Sequence, residues 1–94
     1  NKVYYKEILS SKESPNIAAG FLKIIDSTFP WHLSYDEIDF IMEGDVTIKI
    51  NGKEYTAYTG DIIYIPKGSD VIWSAKEYTK LLYITYPANW SDLL

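Results

Sequence analysis

The sequence predicts an all-β domain. Turn residues recur at short intervals, and the segments between them run about 5–9 residues, which is strand length and too short for ordinary helices. Aromatic residues make up 16% of the chain, and 9 of them are Tyr. Tyr, Ile and Val suit the pleated, half-buried surface of a sheet.

The elements follow in order. A first strand is expected over residues 3–8, before the turn Ser14-Pro15-Asn16. A second covers 21–26, between Gly20 and Pro30, and a third covers 37–43, ended by Gly44-Asp45. Strands 46–50 and 53–57 flank Asn51-Gly52, which supplies the two positive-φ positions of a type I′ hairpin turn. A sixth strand, 61–65, lies between Gly60-Asp61 and Pro66-Lys67-Gly68, and strands 71–74 and 81–86 lead to Pro87. About eight strands in so small a unit imply a sandwich or closed barrel, because closure removes exposed edges.

Composition narrows the function. Ninety-four residues form one compact domain, 1–94, with 47% hydrophobic and 23% charged residues. That is too much apolar material for a disordered chain. Because it opens on Asn1 rather than Met, the chain is expected to be a piece, the C-terminal part, of a longer protein. Net charge is −4 and there is no Arg, which argues against nucleic-acid binding, since that rests on neutralising phosphates. Zero cysteines exclude disulfides, thiolate zinc sites and a Cys nucleophile. No apolar run approaches the ~20 residues of a membrane helix, so no membrane partner is expected.

Strand 37–43 admits two orientations. Alternation places Glu37, Asp39, Ile41 and Glu43 on one face and Ile38, Phe40 and Met42 on the other. In the simpler orientation the acids face water and the apolar face is core. In the other, Glu37 and Asp39 enter a barrel with Cα atoms ~6.5–7 Å apart. Burial and like charge then raise their carboxyl pKa values toward the working range of an acid or base.

The residues resemble a known family. Glu37 precedes Gly44 by seven positions, and Gly60, Pro66 and Gly68 stand in the order Gly, five residues, Pro, one residue, Gly. These resemble the two signature motifs of the cupin superfamily, over about residues 18–90. Phe29-Pro30-Trp31, Tyr35-Asp36-Glu37-Ile38-Asp39, Ile65-Pro66-Lys67-Gly68-Ser69, Leu82-Tyr83 and Tyr86-Pro87-Ala88-Asn89-Trp90 further resemble the C-terminal domain of the EutQ ethanolamine-utilisation family. The resemblance implies a cupin jelly-roll barrel of antiparallel strands, with Glu37 directed into the lumen.

The chain departs from metal-binding cupins, which carry two His plus Glu in the first motif and a third His in the second. The paired-His slots fall on Trp31 and Leu33, or on Pro30 and His32, and the second-motif slot is Val71. At most His32 and Glu37 remain, where a catalytic zinc keeps three protein ligands. No metal site is expected, a metal-dependent oxygenase is disfavoured, and His32 is read as a surface or turn residue.

The resemblance makes Glu37 and Asp39 the candidate catalytic acids or bases. Tyr35, Tyr83 and Thr85 become the candidate binding residues, with Thr85 on the same strand face as Tyr83. Buried Tyr hydroxyls and carboxylates are natural partners, so the same residues also suit a network that only satisfies itself. The family implies acetate kinase-type phosphoryl transfer, with ATP and Mg²⁺ as loosely held cofactors. The chain has no Gly-rich phosphate loop and no Arg to clamp a phosphoryl group, though Glu37 and Asp39 are a pair able to hold Mg²⁺.

The other class is non-catalytic. Outward-facing Ile38, Phe40 and Met42 suggest an association surface and a homodimer. Trp90 is expected to close the barrel's own base rather than reach a partner. The family context adds a bacterial cytoplasmic or microcompartment location, with shell or enzyme proteins as partners.

Overall fold

The structure, a computed structural model, describes residues 2–94. Six strands and one short 3-10 turn follow one another: β1 (Lys2–Leu9), β2 (Ala18–His32), β3 (Asp36–Ile50), β4 (Lys53–Tyr58), β5 (Ile62–Ile65), β6 (Asp70–Tyr86) and the turn Trp90–Leu93. The strand order is β1-β2-β6-β3-β4, with β5 on β3, and every pairing is antiparallel. This is the all-β architecture expected.

The eight expected segments are six strands because two pairs of them are continuous. Segments 37–43 and 46–50 are the two halves of β3, and 71–74 and 81–86 the two halves of β6. The first half of β3 pairs with β5 and the second half with β4, while β6 runs beside both. Gly44-Asp45 is therefore a bulge inside a strand, not a turn. Gly44 does take a positive φ of 76°, and a Cβ there would strike the Tyr78 carbonyl. The register of β3 against β6 slips between Ile41 and Glu43 and again between Gly44 and Thr47. The Thr79 hydroxyl, buried opposite, donates to the Asp45 carbonyl that the bulge sets free.

Bulges also decide which residues point inward, because an extra residue moves the side-chain alternation to the opposite parity. On β3 the buried positions are 39 and 41 before the slips and 46 and 48 after them. On β2 they are 18, 20 and 24, then 27, across a slip at Asp26, whose φ is 43°. β6 pairs without a slip with the first half of β2, and its odd-numbered residues 79, 81, 83 and 85 stay buried. Glu43, expected beside Glu37 and Asp39, is displaced by the slip after Ile41. It is exposed and lies 3.9 Å from Lys80.

Two other turn signals sit inside β2. Gly20 leaves room for the Tyr83 ring, since a Cβ there would collide with the Tyr83 hydroxyl and the Lys6 carbonyl. Pro30 pairs with Ile72 in a stretch beyond the reach of β1, which pairs no further than Ile25, so its missing N–H breaks no ladder. The Asn51-Gly52 turn is as expected, with φ of 49° and 88°. Ile24, Ile41, Ile48, Ile65 and Leu81 are fully buried and form the centre of the barrel with Leu33 and Trp73. Among the described residues, no helix is long and apolar enough to cross a membrane.

Candidate functional site

Across the β3–β6 ladder Glu37 stands opposite Thr85 and Asp39 opposite Tyr83. Inward alternation on both strands therefore sets four polar side chains side by side within the barrel. Asp39 is 0% exposed, Thr85 1% and Tyr83 5%, while Glu37 is partly buried. Their neighbours Ile38, Phe40 and Ile84 face out and are exposed. The inward orientation of Glu37 and Asp39 is thus the observed one, and the water-facing alternative is wrong.

Tyr35 sits in the link between β2 and β3, pinned by the second motif. Leu33 N–H donates to the Ser69 carbonyl at 3.0 Å, Gly68 N–H to the Leu33 carbonyl at 2.7 Å, and Lys67 N–H to Asp36 Oδ1 at 2.8 Å. The Pro66–Ser69 turn thus holds the approach to β3 and aims Tyr35 inward, where it is buried. Trp31 Nε1 donates to the Tyr35 hydroxyl at 2.8 Å.

Beside these groups lies a cavity of about 230 Å³. Glu37, Tyr83 and Thr85 form its polar end, and Phe29, Trp31, Tyr35, Trp73 and Trp90 its aromatic walls. Trp90 is the stopper. Its ring lies 5.7 Å from Tyr35, 5.9 Å from Tyr5 and 6.0 Å from Tyr83, all at steep angles, and its Nε1 donates to Glu7 Oε2 at 2.8 Å. The self-closing role expected for Trp90 is the observed one.

The polar end is short of partners. The Tyr83 hydroxyl and Thr85 Oγ1 are buried without a hydrogen bond, and the buried Asp39 carboxyl has only the neighbouring Glu37 carboxyl as a partner. Such groups cost about 1–3 kcal/mol each when left so, and more when charged. Burial pushes the Asp39 pKa well above its ordinary value, and the adjacent Glu37 carboxyl pushes it further. Burial also raises Glu37, an effect opposed by its interaction with the Asp39 side chain. Burial lifts Tyr35 to about 12, against the lowering effect of the Trp31 hydrogen bond. It raises Tyr83 further still, assisted by Glu7, Tyr5 and Glu37.

The residues at the cupin metal slots do not fit a metal. Leu33 and Val71 are packed in the core, and Trp31 lines the cavity. His32 lies exposed at the end of β2, where its Nδ1 is 2.6 Å from Asp70 Oδ1. Among the described residues, no three His, Cys, Asp or Glu side chains converge on one point.

Residues 1–92 match the family described as Ethanolamine utilisation protein EutQ. The chain belongs to the EutQ family. Acetate kinase EutQ of Clostridioides difficile (strain 630) is 40% identical over 90 residues, which are 96% of this chain and 57% of that protein. The chain thus spans little more than half of that relative. The solved structure of the Clostridium difficile EutQ protein superposes with a TM-score of 0.92 at 39% identity, covering 98% of this chain and 67% of that one. A cupin superfamily protein from Desulfitobacterium hafniense shares the fold, with a TM-score of 0.80 at 17% identity over 93% of this chain and 79% of its own. The EutQ resemblance read from the motifs is therefore correct, and the fold is the one that the cupin resemblance implied.

In this EutQ-family domain the structure brings together all five sequence-derived candidates, Tyr35, Glu37, Asp39, Tyr83 and Thr85. Sequence reasoning missed Phe29 and Trp73 as cavity walls, and treated Trp31 only as an empty ligand slot. Trp73 carried a signal, since Val71, Trp73 and Ala75 alternate with Ile72 and Ser74 along one strand face. Phe29 carried none, because its inward direction depends on the slip at Asp26.

Proposed function

We propose that this domain is a small-molecule-binding cupin of ethanolamine utilisation, in which Glu37 and Asp39 handle a proton and Tyr35, Tyr83 and Thr85 position the ligand. The observation that carries this reading is the set of buried polar atoms without partners beside a half-open aromatic cavity. A structure-only network would satisfy itself. This one leaves the Tyr83 hydroxyl and Thr85 Oγ1 open, and both residues line the cavity. At about 230 Å³ the cavity is smaller than the ~300–1,000 Å³ of drug-sized sites, so its occupant is small. The test is a ¹H–¹⁵N chemical-shift screen of the domain against a broad set of compounds of a few heavy atoms. Shifts concentrated at Tyr35, Glu37, Tyr83 and Thr85 are expected. A set in which no compound moves these signals overturns the reading.

A second reading is phosphoryl transfer between ATP and acetate, favoured by the name Acetate kinase EutQ carried by the 40% identical relative. Phosphoryl transfer is stabilised mainly by cationic clamps, and no Lys, Arg or His lines this cavity. The reading therefore needs Mg²⁺ on Glu37 and Asp39, or groups from the part of the relative that this chain does not span. Turnover of ATP and acetate by the purified domain, lost in folded Glu37→Gln and Asp39→Asn, supports it. Absence of turnover above background sinks it for this domain.

For partners we propose a homodimer through the outer face of β5, β3 and β6. The cell context that goes with the family is the bacterial cytoplasm or a microcompartment, with shell or enzyme proteins as neighbours. The dimer is supported by the exposed apolar row described in the Discussion.

A further inference from the structure

We propose that the turn Trp90–Leu93 is a hinged lid on the cavity and that Glu7 is the latch holding it down. This rests on the small-molecule reading above and concerns how that site is reached and sealed, not what it binds.

The construction of the wall is the first argument. Every cavity-lining residue but two stands on a strand held in a ladder. The two are Tyr35 and Trp90. The link that carries Tyr35 is tied down by the hydrogen bonds of Leu33, Gly68 and Lys67. Trp90 has no such tie. Among the described residues, no backbone hydrogen bond joins residues 87–94 to the barrel, and the Asp92 N–H donates to the Asn89 carbonyl at 2.9 Å, inside the turn itself.

Exposure places the hinge. Ala88 is 3% exposed and fixed in the packing, whereas Asn89 and residues 91–94 are exposed. Rotation about the Asn89 backbone therefore carries Trp90 out of the wall while Ala88 stays. It breaks one hydrogen bond, from Trp90 Nε1 to Glu7 Oε2, and the ring contacts with Tyr5, Tyr35 and Tyr83. Trp31 shows the contrast. Its indole donates to the buried Tyr35 hydroxyl and its backbone pairs with Val71 in the β2–β6 ladder, so it cannot leave without its strand.

The polar end supplies a reason to open. With the lid down, the Tyr83 hydroxyl and Thr85 Oγ1 are buried without partners. Opening admits water to them, which offsets part of the lost Trp90 contacts. An occupant that bonds the same hydroxyls removes that gain and favours the lid down. The balance between the two positions is thus set by whether the cavity is filled. Glu7 is a positioning residue in this device, since it holds Trp90 and does not itself line the cavity.

The test is ¹⁵N relaxation dispersion on the domain, which reads microsecond-to-millisecond exchange. It is recorded at the indole groups of the 3 Trp and along the backbone of residues 89–93. Xenon serves as the probe of entry, because it forms no hydrogen bond and so asks nothing of the polar end. Exchange is expected at Trp90 and residues 89–93, and none at Trp73. Glu7→Ala is expected to raise the open population at least five-fold and to speed xenon release, read at the Tyr83 and Thr85 amides, by a similar factor. Glu7→Gln keeps an accepting oxygen and is expected to match the parent. A Trp90 indole no more mobile than that of Trp73 overturns the proposal, as does equal exchange throughout β6, which marks opening of the whole barrel. Unchanged exchange in folded Glu7→Ala overturns it, and so does a barrel that admits no xenon. If Glu7→Ala does not fold, dispersion on the unmodified chain decides. A static turn leaves the small-molecule reading standing, whereas a moving lid beside a silent compound screen ends that reading alone.

Discussion

Asp39 is a fully buried carboxyl group beside a second carboxyl, that of Glu37. Its folded-state pKa lies above its ordinary 3.8, and that of Glu37 above 4.5, both first through burial. Between the unfolded and folded values the native protein keeps protons that the unfolded chain has released. The stability these groups contribute is therefore complete below about pH 4 and is lost as pH rises through the folded values. Asp39→Asn cannot ionise, so it should be more stable than the parent at pH 8, with the difference shrinking toward pH 4. Urea unfolding midpoints of both proteins at pH 4, 6 and 8 check this, and parallel profiles would refute it. Thr85 makes the complementary case. Its hydroxyl is 1% exposed and unpaired, so Thr85→Val should raise stability by about 1 kcal/mol while weakening ligand binding. Gain in one property with loss in the other is the mark of a polar atom kept for a ligand.

At the scale of the element, β3 shows what a bulge does. The two register slips around Gly44 let one strand serve β5 with its first half and β4 with its second. Gly44→Ala forces a Cβ into the Tyr78 carbonyl at a φ of 76°, and should cost about 2 kcal/mol or more in a thermal or urea melt. Gly52→Ala has the positive φ without the collision, and should cost less. The same bulges mark where the sequence stops being legible. Within a regular stretch, period-two alternation placed Glu37, Asp39, Leu81, Tyr83 and Thr85 on their faces, and Asn51-Gly52 announced its hairpin. Across a bulge alternation changes parity with nothing but a glycine or an Asp26 to signal it, so Glu43 and Phe29 were beyond reach. Motif spacing carried the remaining step, from an undecided face to a lumen. The aromatic walls were hidden for a different reason. They join β2, β6 and the last turn, and the Glu7–Trp90 contact spans 83 residues, a separation on which local pattern is silent.

For the whole molecule, the outer surface is as informative as the lumen. Ile62 and Tyr64 on β5, Ile38 and Phe40 on β3, and Ile84 and Tyr86 on β6 are all exposed. Ile38 stands between Tyr64 and Ile84, and Phe40 between Ile62 and Leu82, so these side chains form one continuous apolar row across three strands. Contiguous apolar surface of this kind marks an association site, and two-fold pairing is the commonest way to cover it. Phe40→Lys and Tyr64→Lys should each shift the protein from dimer to monomer in sedimentation equilibrium without moving the cavity signals. A monomeric parent at tens of micromolar would end the dimer proposal. The stopper of the cavity has a consequence of its own. Trp90 stands within 6.0 Å of three tyrosine rings, close enough to collect their excitation energy. With Trp31 and Trp73 replaced by Phe, its emission becomes a native optical gauge of whether the barrel's mouth is plugged, readable without any attached dye.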